Sequence, residues 1–245
     1  MIITPINSTE SAVHLSGYVT GATSGYKEVW PISGTTASIA MPEILRQVSV
    51  SSGDTTDVAP SGGAHSVLLE GLDRRFEPQS ELIDLNGRTG VISEKAYRAI
   101  NSIKVVSSGS DGTNKGIIYV GSGAITTGVP ATSYSVIDSN ISVSETLSFT
   151  VPNGHMLEIE SISVVPKTIN TTSLHWELLK ADIVSEIEVD QVVYTSMYRG
   201  TQFESTQKLH RPITIEARKT LKMRVSQLNA NGDVLVHIIG KLIKQ

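Results

Sequence analysis

The stretch that decides the fold reads Ile141-Ser142-Val143-Ser144-Glu145-Thr146-Leu147-Ser148-Phe149-Thr150-Val151. Apolar side chains alternate with Ser and Thr, and Glu145 is the one exception on the apolar side. Successive side chains of a β-strand point to opposite faces of a sheet, so this period of two predicts one half-buried strand. The following Val151-Pro152-Asn153-Gly154 predicts a tight turn, because Pro presets φ and Asn and Gly accept the next positions.

The same period continues toward the C-terminus. Leu221, Met223 and Val225 alternate with polar residues, and residues 229–232 before the last strand are typical of a hairpin turn. Residues 178–188 also fit a short helix, and the pattern leaves both alternatives open. The strands predicted in this half, besides 141–151, are residues 157–165, 174–179, 191–198, 213–217, 221–228 and 234–243.

The N-terminal half is less regular. Asn86-Gly87 predicts a two-residue hairpin turn, because both residues accept positive φ. Residues 93–98 predict one helical turn capped by Ser93. Residues 1–40 are rich in Ser, Thr and Gly, which fits an extended arm or irregular strands. The strands predicted in this half are residues 45–50, 66–72, 81–85, 100–107 and 115–121.

Glycine content divides the chain. Sixteen of the 20 glycines lie between Gly17 and Gly128, and the polar stretch that follows contains Pro130. We therefore predict an N-terminal segment over 1–40, a glycine-rich β domain over 41–135 and a β-sandwich domain over 136–245. Both domains have the size of ordinary β-sandwiches.

Composition also favours an all-β class. Ile, Val and Thr make up 72 of the 245 residues, against 30 for Ala and Leu, the best helix formers. Stiff β-branched side chains suit a pleated surface, and Ser and Thr suit turns and solvent-facing sheet positions. The expected architecture is two β-sandwich or jelly-roll-like domains in tandem, preceded by the extended N-terminal segment.

Several function classes are excluded or disfavoured. The absence of Cys excludes disulfide frameworks, Cys-ligated metal sites and thiol nucleophiles. A net charge of −4 disfavours a general nucleic-acid binder, and no run of apolar residues is long enough to span a membrane. The phosphate-binding loop, the His-Glu-x-x-His helix and the Gly-x-Ser-x-Gly elbow are missing, and Gly121-Ser122-Gly123 lacks the third glycine of a dinucleotide fingerprint. We therefore expect no enzyme and no cofactor.

Metal sites have little support in the sequence. No two of the six histidines lie close enough along the chain to suggest a shared ion. Two acidic loops, Asp54-Thr55-Thr56-Asp57 and Asp111-Gly112-Thr113-Asn114, carry the oxygen ligands that Ca²⁺ prefers. They lack the carboxylate density of an EF-hand loop, and the same residues are ordinary turn formers, which is the favoured interpretation.

Other candidate binding residues are few. Trp30, Trp176 and Tyr26 could stack on a sugar, although Trp176 alternates with Leu174 and Leu178 and is predicted to lie in the core. His175 beside it could line a ligand surface, with an ordinary structural position favoured. The double basic step Arg74-Arg75 predicts a solvated turn or an intersubunit pair.

An ordered set of elements carries a resemblance. These elements are Gly71-Leu72-Asp73, Ser80-Glu81, Leu85-Asn86-Gly87, Val91, Tyr97-Arg98-Ala99-Ile100-Asn101, Val105, Ser108-Gly109-Ser110, Asn114-Lys115-Gly116-Ile117-Ile118-Tyr119-Val120 and Val151-Pro152-Asn153-Gly154. Together they resemble a family of virion structural proteins of tailed bacteriophages of marine type, over residues 45–245. The resemblance implies a particle component without enzymatic activity, and it transfers no site residue.

This resemblance gives the leading expectation for function. We expect a homo-oligomeric structural protein of the head, neck or tail, located in the virion, assembled in the host cytoplasm and partnered by other virion proteins. The alternative is a carbohydrate- or receptor-binding module of a phage fibre or spike that recognises a host surface glycan. On physical grounds Gly71 and Gly116 suit close backbone approach, and Arg98 could bridge to Glu81.

Overall fold

The fold is all-β. The computed structural model describes residues 2–22, 25–29, 42, 44–166, 173–184, 187–199, 205–228 and 232–245, and within these ranges there is no helix that could span a membrane. The strands are β1 (Ile2–Pro5), β2 (Glu10–Ala22), β3 (Lys27–Glu28), β4 (Arg46–Ser52), β5 (Ala64–Leu72), β6 (Pro78–Asp84), β7 (Val91–Tyr97), β8 (Ala99–Ser108), β9 (Ile118–Thr126), β10 (Val129–Ile137), β11 (Ser148–Thr150), β12 (His155–Pro166), β13 (Ser173–Val184), β14 (Ile187–Arg199), β15 (Ser205–Ile215), β16 (Thr220–Leu228) and β17 (Gly232–Lys244).

The chain forms two compact units, and one is inserted into the sequence of the other. Unit 1 combines Met1–Thr35 with Thr146–Gln245, whereas unit 2 is Thr36–Glu145. The predicted tandem order is therefore wrong, because the N-terminal strands belong to the same unit as the C-terminal ones. The predicted boundary at 135/136 lies at the end of β10 in unit 2, and the chain re-enters unit 1 at residue 146.

Unit 1 is a β-sandwich. One sheet has the order β1-β2-β17-β12-β15, and the other has the order β11-β16-β13-β14 with β3 paired to β16. Side chains from both sheets share one apolar core, which includes Leu15, Ile159, Trp176, Met223 and Val236. As predicted, Leu221, Met223 and Val225 all point into this core. The jelly-roll connectivity stays a prediction.

Unit 2 is a smaller pair of sheets. A four-stranded sheet has the order β10-β9-β4-β7, and a three-stranded sheet has the order β6-β5-β8. Val50, Leu69, Tyr97, Ile103 and Ile118 contribute to a core that draws on both sheets. Neighbouring strands β6 and β7 belong to different sheets, so the turn between them does not close a hairpin ladder.

Within the predicted N-terminal segment 1–40, residues 2–5 and 10–22 form the regular strands β1 and β2 and not an arm, while residues 30–40 lie outside the described residues. Strand β2 lies between β1 and β17, and its pairing with β17 extends from Glu10↔Ile243 to Ala22↔Gly232. The alternation in β2 is hidden in the sequence because Gly17 occupies a core-facing position between two apolar residues. A Cβ at Gly17 would lie 2.4 Å from Val29 Cγ1, so only glycine fits there.

Only part of the stretch 141–151 forms a strand. Leu147, Phe149 and Val151 are buried as predicted, and β11 covers residues 148–150. The first half is irregular because Asn140 and Ser142 adopt φ values of 62° and 69°, which a strand residue does not adopt. Ile141 and Val143 consequently face solvent, and the prediction of one continuous strand is wrong.

Both helical alternatives are wrong, and strand β10 was missed. Residues 93–98 lie mostly in β7, where Ser93 Oγ accepts a hydrogen bond from Val48 N at 3.0 Å instead of capping a helix. Residues 178–184 continue β13. The polar stretch predicted as a domain boundary forms the hairpin of β9 and β10, in which Tyr134 and Ile137 are buried.

Candidate functional site

The two acidic loops lie side by side, and Asp57 is their centre. Its buried carboxylate accepts hydrogen bonds from Ser52 Oγ at 2.5 Å and from the backbone amides of Ala64, Lys115 and Gly116 at 2.8–2.9 Å. Each oxygen therefore already accepts two donors, which is the arrangement that stabilises a buried charge without a metal. Asp57 ties β4 to the start of β5 and to the turn before β9.

The second loop is held in the same way. The buried Asn114 donates through Nδ2 to the carbonyls of Gly116 and Asp138 at 2.7 and 2.8 Å, and its Oδ1 accepts from Ser142 N. Asp111 pairs with Lys115 at 3.4 Å. Within the described residues no group of three or more His, Asp or Glu is arranged to hold a metal ion. The two loops thus form one hydrogen-bonded network, which we call the Asp57 network, and their Asp and Asn side chains act as turn residues.

Glu81 joins the edges of the two sheets of unit 2. Its carboxylate on β6 accepts the backbone amides of Glu94 at 2.6 Å and Lys95 at 3.0 Å, both on β7. Lys95 Nζ donates back to the carbonyl of Ser80 at 2.6 Å. We call this arrangement the Glu81 clamp. It occupies N–H groups of an edge strand that would otherwise be free to pair with another chain.

The predicted bridge between Arg98 and Glu81 is wrong. Arg98 donates to the carbonyl of Pro42 at 2.5 Å, and its guanidinium lies 5.7 Å from the centroid of the Phe76 ring. Burial lowers the pKa of Arg98. Both carboxylate oxygens of Glu81 already accept backbone amides of β7, so they are not placed to form a bidentate ion pair with an arginine.

A charged cluster lies on the face of the β16–β13 sheet that points away from the unit 1 core. Arg224 forms an ion pair with Glu177 at 2.5 Å, across directly paired positions of β16 and β13. The guanidinium also lies 4.7 Å from the centroid of the Tyr26 ring, a cation–π distance. Tyr26 is 43% exposed, and burial together with its hydrogen bond to Glu177 raises the pKa of its hydroxyl.

Lys222 continues this cluster and is almost completely buried, at 2% exposure. Its ammonium lies 4.0 Å from the Glu28 carboxylate. Burial lowers the pKa of Lys222, and the negative charge of Glu28 partly opposes that shift. The Glu28 carboxylate offsets part of the several kcal/mol that burying an isolated ammonium would cost.

The remaining candidates take structural positions. Trp176 is buried in the unit 1 core as predicted, with its ring 5.3 Å from that of Tyr194. His175 points to the opposite face, and its Nε2 is buried with no hydrogen-bond partner among the residues that the structure describes. Arg74 and Arg75 lie exposed in the turn after β5, where Asp73 Oδ1 accepts the amide of Arg75. Trp30 lies outside the described residues.

Two histidines from opposite ends of the sequence meet on the outer face of the other unit 1 sheet. The ring centroids of His14 on β2 and His237 on β17 are 5.4 Å apart, with an angle of 43° between the rings. His14 is exposed, while His237 Nδ1 is buried and has no hydrogen-bond partner in the part of the chain that the structure describes. Burial and the neighbouring His14 lower the pKa of His237.

Among the described residues, the most exposed large apolar side chains lie on the edge strands of unit 2. Ile92 on β7 is 67% exposed and Leu82 on β6 is 61% exposed, on either side of the Glu81 clamp. Leu82 is directly paired with the half-buried Leu68, so apolar surface continues across the sheet. Exposed apolar side chains on edge strands favour contact with another protein.

Sequence reasoning did not find the Glu81 clamp or the histidine pair. Both depend on which strands are neighbours, and the sequence near each residue contains no signal of that. One signal could have helped. If Gly17 is counted as a core-facing position, residues 10–22 alternate, and that alternation places His14 on the outer face of a strand.

Comparisons with known proteins identify no family. No family model matches the chain, and no curated protein matches it. Among solved structures, that of the infectious bursal disease virus Gx strain is 8% identical and covers 98% of this chain and 77% of its own, with a TM-score of 0.19. The VP2 subviral particle of the same virus is 11% identical and covers 96% and 75%, with a TM-score of 0.19.

Proposed function

We propose that this chain is a structural component of a tailed-phage virion, at the head, neck or tail. It acts by assembling with copies of itself and with other virion proteins, after synthesis in the host cytoplasm. It has no catalytic role in this proposal. The resemblance over residues 45–245 supports it, and the observation that carries it is the exposed apolar edge of unit 2, at Leu82 and Ile92.

The structural positions of the resembling residues support the same proposal. Gly71 lies where a Cβ would be 2.2 Å from the Ala99 carbonyl, and Gly116 where a Cβ would be 2.4 Å from the Asp54 amide. Asn114 is part of the Asp57 network, and Glu81 forms the Glu81 clamp. These residues maintain a scaffold, as expected of a protein whose function is its surface.

The proposal is tested by the mass of the purified chain in solution. Light scattering should give a multiple of 26.3 kDa, and Ile92→Asn should shift the distribution toward the single chain. Ile141→Asn is the matched control, because Ile141 is exposed in the same unit but lies outside the strands. A wild-type chain that stays at 26.3 kDa at high concentration would contradict assembly with itself.

One observation favours a second function, a carbohydrate- or receptor-binding module. Tyr26 is an exposed aromatic ring beside Glu177 and Arg224, and such a group offers stacking and hydrogen bonding to a sugar. Glycan-array binding by the wild type that Tyr26→Ala abolishes would support this alternative. The absence of binding to any glycan on the array, with and without Ca²⁺, would contradict this alternative.

A further inference from the structure

The histidine pair lies on a rigid scaffold. Strands β2 and β17 pair along most of their length, and His14 is directly opposite Ile239 while His237 is opposite Ser16. The two histidines are therefore diagonal neighbours on one sheet face, within reach for ring side chains. Val13, Leu15, Val236 and Ile238 fix both backbones by packing into the core on the other face.

The spacing of the two rings suits one shared metal ion. Imidazole nitrogens bind Zn²⁺ at about 2.0–2.1 Å, so two rings on one tetrahedral ion have centroids about 5 Å apart. The observed separation of 5.4 Å matches that value without movement of either strand. A stacked aromatic pair is also compatible with this distance, so the spacing alone does not define a site.

A second observation points to a ligand. Among the described residues, His237 Nδ1 is buried and has no hydrogen-bond partner, although a buried polar atom is normally satisfied. A metal ion bound to this nitrogen would satisfy it. His14 is exposed, so an ion can approach from solvent and contact this ring as well.

We propose that His14 and His237 form a binding site for a divalent transition-metal ion, with Zn²⁺, Ni²⁺ and Cu²⁺ as the ions that imidazole ligands suit. The two histidines supply two coordination positions, and water fills the others. Hard ions such as Ca²⁺ and Mg²⁺ prefer oxygen ligands and are not expected to bind.

The test is a calorimetric titration of Ni²⁺ into the untagged full chain. We expect one ion per chain, with binding weakened at least tenfold in His14→Ala and in His237→Ala. The matched control is His210→Ala, which removes an exposed histidine from β15 of the same unit and should leave binding unchanged. Since His14 is exposed, its replacement should not unfold the protein, and a thermal melt checks this.

Electron paramagnetic resonance of the Cu²⁺ form gives an independent readout. Coupling to two imidazole nitrogens is expected in the wild type and to one in His14→Ala. The proposal is overturned if the wild type takes up no ion, if His14→Ala binds as tightly as the wild type, or if His210→Ala is the variant that loses binding.

Discussion

The carboxylate of Glu81 accepts the backbone amide of Glu94 at 2.6 Å, and this bond joins two sheets that share no backbone ladder at this edge. The second oxygen accepts the amide of Lys95. One side chain thus replaces part of a missing strand pairing and occupies an open edge. The two hydrogen bonds stabilise unit 2, and they also occupy two N–H groups of the edge strand β7 that another chain could otherwise pair with.

Glu81→Gln should destabilise the protein by about 1–2 kcal/mol, because one acceptor becomes an NH₂ group that faces an N–H donor. The measurement is the free energy of unfolding in urea. Glu94→Gln is the control, since it changes the charge equally while the Glu94 backbone amide keeps its bond. Equal stability of the two variants would show that the clamp contributes nothing.

Asp57→Asn should lower the free energy of unfolding by about 3 kcal/mol. All four donors to Asp57 need an acceptor, and an amide offers one oxygen only. Asp84→Asn, on the exposed side of β6, should change the stability by less than about 0.5 kcal/mol. Thermal unfolding followed by circular dichroism compares the two variants. An Asp57→Asn protein as stable as the wild type would contradict the role given to Asp57.

Gly71→Ala tests the close approach of β5 and β8. The new Cβ would lie 2.2 Å from the Ala99 carbonyl oxygen and 2.8 Å from Tyr97 Cδ1, so the strands must separate at a cost of about 2 kcal/mol or more. Gly25→Ala is the control, because no atom of the described residues lies within 4 Å of its Cβ position. Loss of stability should therefore appear in Gly71→Ala alone, and equal melting temperatures would refute the packing argument.

The pKa of Lys222 predicts a pH dependence. Because burial lowers this pKa in the folded state, the unfolded chain binds the proton more tightly between the lowered pKa and about 10.5. Stability contributed by this group therefore rises with pH in that window and is lost as pH falls through the lowered pKa. Lys222→Met should remove this rise.

The experiment compares the unfolding free energy of wild type and Lys222→Met from pH 7 to 11. Burial also raises the pKa values of Tyr97 and Tyr119, which lowers stability at alkaline pH, but both proteins share those groups and the difference cancels them. A wild-type minus variant difference that stays flat across this range would contradict the burial of a charged Lys222.

Local patterns predicted most strands, and long-range pairing could not be predicted. Residues 157–165, 221–228 and 234–243 lie within strands as expected, because alternation is a property of neighbouring residues. The pairing of β2 with β17 joins the two ends of the chain, and no local pattern encodes it. The nested order of the units follows from that pairing and was missed with it.

The candidate sites show the same limit. The turn character of the Asp54–Asp57 and Asp111–Asn114 loops and the burial of Trp176 could be predicted from residue type and alternation. The Glu81 clamp and the histidine pair depend on tertiary neighbours. Left-handed backbone at Asn140 and Ser142 also overrode a clear strand pattern, since the amides of both residues donate hydrogen bonds to Asn114, which lies far earlier in the sequence.

Quantitative mass spectrometry of purified phage particles that encode this chain tests the central claim most directly. The account predicts that the chain is retained in washed particles, at a fixed copy number that corresponds to a symmetric ring or trimer. Abundant chain in the infected-cell lysate together with its absence from the particles would contradict a structural role in the virion.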